Sequence, residues 1–360
     1  LGDVYKRQDV HIGGGWMSIK KDAMAINTVA TMIRVEKPDF VVVTGDISYP
    51  VPFQAGTFNN KSGAKIFAEL METLGVYWTL AYGNHDTEAY SYYTREQLTD
   101  FYRSEQYKHC LLQPGPEDVD GVGNQVINIV NSDGVITRTL ITLDSHSYID
   151  GDVLGIRWLY DNIHENQINW YKNVVLDLAK RNQDAAKALP AAKQKLYAEL
   201  EKVVPTSVFF HFPMEEYRLA WTEYVENDYK DTKNVKYRYG LPGESGKVVY
   251  CGIHPDQLFE TMQKLGSTDS TFCGHDHYNN FSLNYKGINL TYGYSIDYLA
   301  YVGIYKQGTQ RGCTILDYDQ NGGLDFHQEN YYQDKYQNDA RESVTMQEIT
   351  TSGLPVLDAR

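Results

Sequence analysis

Phe40-Val-Val-Val-Thr-Gly-Asp46 is the stretch on which the fold turns. Its first five residues are an unbroken apolar, β-branched run, as expected of a parallel strand covered on both faces. Upstream, residues 18–36 carry Ala23, Ile26, Val29, Ala30 and Ile33 at helical spacing, and Pro38-Asp39 closes that helix. Downstream, a second helix fits about 62–74, with Ile66, Phe67, Leu70 and Leu74 inward. Gly75 stands where helices usually stop. Val76-Tyr-Trp-Thr-Leu-Ala81 is the next strand. This β-α-β-α-β rhythm predicts an α/β fold, with a parallel sheet joined by right-handed crossovers.

The middle of the chain changes character. Residues 125–130 and 135–143 read as strands joined by the turn Asn131-Ser-Asp-Gly134. Helices are expected over 165–181 and 191–203, broken at Pro190. A strand is expected at Thr206-Ser-Val-Phe-Phe210, a long surface loop over 226–248, and a helix from Pro255 to about Leu265. Thr271-Phe-Cys273 reads as a buried strand. Residues 282–285 and 288–292 form a hairpin around Lys286-Gly287, and 312–318 and 324–329 are closing strands. One domain is expected over 1–334, with a loose polar tail over 335–360. The mostly polar Leu1-Gly-Asp-Val-Tyr-Lys-Arg-Gln8 is a poor lead into Asp9, so the first eight residues are expected to be truncated or foreign. A localisation signal, secretory or periplasmic, could have been lost with them.

Bulk properties exclude some functions. The net charge of −14 argues against a nucleic-acid or anionic-membrane surface. No apolar run approaches the roughly 18 residues of a membrane helix. Cys110, Cys251, Cys273 and Cys313 form no C-x-x-C pair and read as ordinary thiols.

Five polar clusters stand in order: Asp9-Val-His11, Gly45-Asp46, Gly83-Asn-His-Asp86, His211 and Gly274-His-Asp-His277. Four of them directly follow apolar runs, and in an open α/β sheet such positions share a crevice beyond the strand ends. Each has an ordinary reading. An Asp after a strand is usually a turn residue, and a lone His is usually a satisfied polar group. Together they gather carboxylates, an amide and histidines, the donors two metal ions need. His109, His146, His164, His254 and His327 lack this context and read as structural or surface residues. The chain has 30 Tyr, and its Tyr-rich segments, Tyr217 to Tyr239 and Tyr292 to Tyr301, are expected mainly to pack on half-buried strands and loops. The alternative is that they shape the pocket and stack on a nucleoside, sugar or aryl leaving group.

These five clusters resemble the pattern of the calcineurin-like metallophosphoesterase superfamily, in its purple-acid-phosphatase-like branch. Thr271-Phe-Cys-Gly-His-Asp-His277 and Leu143-Asp-Ser145 point to that branch. The resemblance implies a four-layer α/β/β/α sandwich with a dimetal site at the C-terminal ends of the strands. By position, Asp9, His11 and His277 would bind one metal, Asn84, His211 and His275 the other, and Asp46 would bridge them. The ions are expected to be divalent or mixed-valence Mn, Fe or Zn. Gly45-Asp-Ile-Ser-Tyr49 also carries the tyrosine that binds ferric iron in purple acid phosphatases. With His11 present, His11 is the expected ligand and Tyr49 a pocket or packing residue.

The implied reaction is attack of a metal-activated hydroxide on phosphorus, with His85 protonating the leaving oxygen. Asp86 would orient His85, or else cap the helix that follows. The expected substrate is a small-molecule phosphomonoester. The alternatives are a phosphodiesterase or nucleotide pyrophosphatase and, in another class, a non-catalytic metal-binding scaffold. No nucleic-acid partner is expected.

Overall fold

Phe40–Val43 forms strand β2, and its four buried side chains alternate between two cores. Val41 and Val43 face a helical layer, among Val29, Phe67 and Trp78. Phe40 and Val42 face a second sheet, among Leu140, Phe209 and Phe272. The apolar run is unbroken because neither face of the strand meets water. The structure is a computed structural model that describes residues 3–7, 9–149, 159–246, 248–302, 304 and 311–344, with 3–7 described by backbone alone.

The first sheet contains β1 (Asp3–Arg7), β2, β3 (Tyr77–Leu80), β11 (Gly312–Tyr318) and β12 (Leu324–Asn330), in the order β12-β11-β1-β2-β3. Strands β1, β2 and β3 are parallel, and β11 joins β1 antiparallel. A strand therefore leads into Asp9 despite its polar sequence. The second sheet contains β4 (Gln125–Val130), β5 (Ile136–Thr142), β6 (Thr206–Phe209), β7 (Val235–Tyr239), β8 (Thr268–Cys273), β9 (Ser282–Tyr285) and β10 (Ile288–Tyr292). Its order is β4-β5-β6-β8-β10-β9-β7, with β5, β6, β8 and β10 parallel. Between the sheets Phe272 meets Phe326 at 5.5 Å, and the Tyr318 hydroxyl donates to Ser207 Oγ at 3.0 Å.

Helices cover both outer faces. α1 (Ile19–Glu36), α3 (Asn60–Leu74) and α4 (Arg95–Tyr102) pack on the first sheet through Val29, Phe67 and Leu98. α5 (Glu165–Lys187), α7 (Glu215–Glu226) and α8 (Leu258–Leu265) pack on the second through Tyr171, Tyr217 and Met262. α2 (Pro52–Ala55) and α6 (Ala191–Gln194) are single turns. The result is the expected α/β/β/α sandwich.

Several local expectations change. The buried stripe of α1 carries Asp22, Ala25 and Val29, while Ala23 is exposed. The helix turns this way because Asp22 accepts the amides of Gly13 and Gly14 at 2.9 and 3.0 Å, shaping the loop after His11. The expected surface loop over 226–248 contains β7, whose Val-Lys-Tyr-Arg-Tyr adds an edge strand to the second sheet. The helix expected over 191–203 is only α6 and one 3₁₀ turn, Lys195–Tyr197. The polar tail is docked over its described part. Tyr336 is buried and donates to Glu36, and Asn338 accepts from Asn27 at 3.1 Å. Residues 345–360 lie outside the described residues. None of the four cysteines forms a disulfide, as expected. Among the described residues no helix is long and apolar enough to cross a membrane.

Candidate metal centre

Parallel strands deliver the polar clusters to one end of the sandwich. Asp9 and His11 follow β1, Asp46 follows β2, and Asn84, His85 and Asp86 follow β3. His211 follows β6, and His275 and His277 follow β8. All seven candidate ligands are buried. Four of them, Asp9, His11, Asp46 and His275, have left-handed backbones, with φ of 44°, 51°, 55° and 75°. Each such non-glycine residue costs about 1–3 kcal/mol, and strain of this kind gathers where a site needs it.

Asp9, His11, Asp46 and His277 bring one donor atom each within 4.8 Å of one another. His11 Nε2 lies 3.3 Å from Asp46 Oδ2, and His211 Nε2 lies 3.3 Å from the same oxygen on the other side. Asn84 Oδ1 is 3.0 Å from His211 Nε2. Around an ion with bonds of about 2.1 Å, neighbouring donors stand about 3.0–3.4 Å apart, so these spacings suit coordination.

The outer contacts fix which atoms face inward. His211 Nδ1 meets the Thr44 carbonyl at 2.7 Å, so that nitrogen carries the proton and Nε2 presents its lone pair. The Asn84 amide donates through Nδ2 to the Tyr148 hydroxyl at 2.7 Å, turning Oδ1 inward. Three acceptors thus face one another with no donor between them. Asp9 Oδ2 is also buried without a hydrogen-bond partner. A cation is what such a set lacks, and the residues present fit a metal centre.

The surrounding carboxylates favour protonated His11 and His211, and a bound cation would take the place of those protons. Burial alone would lower the His11 and His211 imidazoles. The carboxylates of Asp297 and Asp46 push His11 up to about 10, and Asp46 and Asp9 push His211 up to about 9. Burial opposes the Asp46 anion, yet His211 and His85 hold that carboxyl well below its usual range. His275, pushed far down by burial and by His211, stays neutral, as a ligand must. Its ring lies 5.2 Å from that of His211.

Two further carboxylates, unmarked in the sequence reading, complete the surroundings. Asp297, after β10, is fully buried, and its Oδ2 lies 3.4 Å from His11 Nδ1 and 3.1 Å from His277 Nδ1. It leaves Nε2 of both rings free to face the cluster, the carboxylate–histidine arrangement that orients metal ligands. Glu88 Oε1 meets His85 Nδ1 at 2.5 Å. Asp86 neither orients His85 nor caps a helix. Its carboxylate accepts the amides of Asp46, Ser48 and Gly83, each at 2.9 Å, and so ties the loop after β2 to the loop after β3. Hydrogen bonds to a charged group contribute about 1.5–3 kcal/mol each. Those loops must be close: a Cβ on Gly83 would lie 2.1 Å from Asp46 Oδ1. Asp144, in Leu143-Asp-Ser145, pairs with Arg95, which also donates to the Gly83 carbonyl at 3.0 Å.

Asp297→Asn is expected to weaken metal binding about 10–100-fold. An Asn Nδ2 in place of Oδ2 cannot accept from His277 Nδ1 and removes the negative charge that faces His11 Nδ1. Metal titration of the chelator-treated protein reads the effect, and unchanged affinity would remove Asp297 from the site.

Tyr49 lies flat on His11, with ring centroids 4.4 Å apart at 18°, and its hydroxyl donates to Gln54 Oε1 at 2.7 Å. It packs on His11, and its oxygen is engaged elsewhere. A cavity of about 360 Å³ opens over the cluster, lined by His85, His275 and His277 and walled by Tyr49, Phe53, Tyr90, Tyr148, Tyr160 and Tyr301. Most other tyrosines of the Tyr-rich segments, such as Tyr217, Tyr292 and Tyr294, pack in the core as expected.

The remaining histidines lie apart. His109 pairs with Glu72 and His327 with Glu329, and His254 is exposed. His146 and His164 form a half-buried group with Asp161. Their rings stack at 3.9 Å and 19°, so their in-plane lone pairs run side by side and do not converge on one ion.

The four-layer α/β sandwich with a His/Asp/Asn cluster at its strand ends is the architecture of the calcineurin-like phosphoesterase family, and the chain belongs to that family, matching it over residues 9–279. That family uses a dimetal centre and acts on phosphoesters. One relative, named probable inactive purple acid phosphatase 29, from Arabidopsis thaliana, is 28% identical over 307 residues, covering 82% of this chain and 69% of that protein. Another, named probable inactive purple acid phosphatase 28, from the same plant, is 24% identical over 319 residues, covering 81% and 70%. The fold is also that of a dimetal phosphatase from Danio rerio, with a TM-score of 0.53 at 10% identity over 88% of this chain and 92% of that one.

Proposed function

We propose that this chain is a metal-dependent hydrolase of phosphomonoesters. The observation that carries this reading is Asp46 Oδ2, shared by His11 Nε2 and His211 Nε2 at 3.3 Å each: one carboxylate oxygen between two ligand groups. Asp9, His11 and His277 would hold one ion, Asn84, His211 and His275 the other, with Asp46 common to both. Donors of this kind suit Mn, Fe or Zn. Two bound ions supply Lewis acidity toward the phosphoryl oxygens and an activated nucleophile.

The chain's own residues do the rest. Asp297 and the Thr44 carbonyl hold three imidazoles with Nε2 inward, and Tyr148 holds the Asn84 amide. Asp86 keeps the loops after β2 and β3 in register. Glu88 faces His85 Nδ1 and would stabilise the imidazolium, whose Nε2 proton passes to the departing alkoxide. Burial pushes the free ring down to about 4, so the charge of a bound phosphate is what would hold it protonated. The cavity is near the small end of ligand pockets, which run about 300–1,000 Å³, and this favours one ester arm over two.

Stripping the protein of metal and reloading it with Mn, Zn or Fe tests the reading on p-nitrophenyl phosphate and bis-p-nitrophenyl phosphate side by side. Cleavage of the monoester, abolished by chelator, is the expected result. Preference for the diester would make the chain a phosphodiesterase or nucleotide pyrophosphatase. Two bound ions with neither ester cleaved would point to the scaffold role.

A further inference from the structure

Apolar rings continue outward from the cavity onto the surface. Phe53, in α2, belongs to both: it lines the cavity, yet it is 84% exposed. The same turn ends at Gly56, where a Cβ would lie 2.7 Å from Trp16 Nε1 and 2.9 Å from Met17 Cγ. Trp16 therefore lies against the α2 turn, and it is 75% exposed. It stands in the loop after His11 whose shape Asp22 sets. On the other flank Phe58 packs against Tyr90 at 5.9 Å and Tyr92 at 6.3 Å, and Tyr90 is again a cavity wall. Scattered exposed apolar residues are ordinary, but a contiguous set at the mouth of a site marks a binding surface.

The inner wall is aromatic too, because tyrosines pack directly on the candidate ligands. Tyr160 meets His275 edge-on at 4.4 Å, and Tyr301 lies over His277 at 4.2 Å. Among the described residues lining the cavity, the only formal charge besides the histidines is Glu88. Such a wall offers ring faces to a leaving group.

We propose that the alcohol half of the substrate is a large apolar or aromatic group, seated in the tyrosine-walled cavity and along the Phe53–Trp16 ridge. The proposal rests on the phosphoesterase reading of the site, since the phosphate end is placed by it. The continuity of cavity and ridge through Phe53 assigns the ridge to the substrate.

The test is calorimetric binding of 1-naphthylmethylphosphonate and methylphosphonate, neither of which can be hydrolysed at phosphorus, to the full metal-loaded protein. Wild type should bind the naphthyl compound at least about 10-fold more tightly. Phe53→Ala and Trp16→Ala, both at exposed positions, should each cut that ratio about 5-fold. Equal affinities, or a ratio that neither variant moves, would overturn the inference. If methylphosphonate binds and p-nitrophenyl phosphate is cleaved while the ratio is near one, this inference alone fails. If neither phosphonate binds and no ester is cleaved, the phosphoesterase reading falls with it.

Discussion

Asp46→Asn is expected to remove both ions and lower turnover on the order of 10³-fold or more, because metal ions contribute several kcal/mol to the transition state and each 1.36 kcal/mol is tenfold. The exchange is nearly isosteric, so the effect is chemical. Asp46 Oδ1 accepts the His85 amide at 2.9 Å, and an Asn oxygen kept there places Nδ2 where Oδ2 was. That NH₂ would donate to the lone pairs of His11 Nε2 and His211 Nε2, occupying the space of a shared ligand with a donor. Flipping the amide would instead set a donor against the His85 N–H. The fold should survive, since the loop is tied by Asp86 to the backbone amides of Asp46, Ser48 and Gly83 and not through the Asp46 carboxylate. Elemental analysis of the purified variant, with turnover and thermal unfolding, reads all three. A variant that keeps two ions and its turnover would show that Asp46 is not the shared ligand.

The site was largely legible because the fold advertises it. A strand buried on both faces must be apolar throughout, so Phe40–Val43 announces itself, and the first polar residues beyond such a strand are those it delivers to the crevice. Asp46, Asn84, His211, His275 and His277 stand in that position, Asp9 and His11 follow the polar β1, and the structure brings all seven to one end of the sandwich. Asp297 was not legible. It sits in Tyr-Ser-Ile-Asp-Tyr298 with no neighbouring histidine or Gly-Asp pair, and it reaches the cluster only because β10 runs parallel beside β8. That pairing is non-local and leaves no mark in the adjacent sequence. Glu88 had a signal: a 3₁₀ turn over His85–Thr87 brings position 88 back over His85. Asp86 misled because its partners lie about forty residues upstream, at Asp46 and Ser48. A local motif suggests local partners.

The same contrast explains the fold differences. β7 is an edge strand exposed on one side, so its polar side chains concealed an alternating pattern that its neighbour β9 stabilises. The stretch after residue 334 is polar, but Tyr336 anchors it to α1 through Glu36. In α1 the apolar spacing misplaced the buried stripe because a buried polar residue, Asp22, outranks Ala23 once its carboxylate has amides to accept. In each case long-range pairing overrode the local pattern.

His85→Ala is expected to reduce turnover about 10²–10⁴-fold with the metal content unchanged. The ring lines the cavity, and its Nδ1 is engaged by Glu88, so its loss removes a proton donor at the mouth and none of the proposed ligands. The size of the loss should depend on the ester. p-Nitrophenolate departs without needing a proton, whereas an alkoxide does not, so a general acid matters far more for an alkyl phosphate. Comparing the variant on p-nitrophenyl phosphate and on an alkyl phosphate of similar bulk therefore separates roles that one substrate cannot. A loss at least tenfold larger on the alkyl ester assigns proton transfer to His85. Equal losses on both would make it a positioning residue for the phosphate, and Glu88→Gln should then leave the ester preference as it was. Unchanged turnover on both would remove His85 from the reaction, leaving tyrosine hydroxyls of the cavity wall, such as those of Tyr160 and Tyr301, as alternative donors.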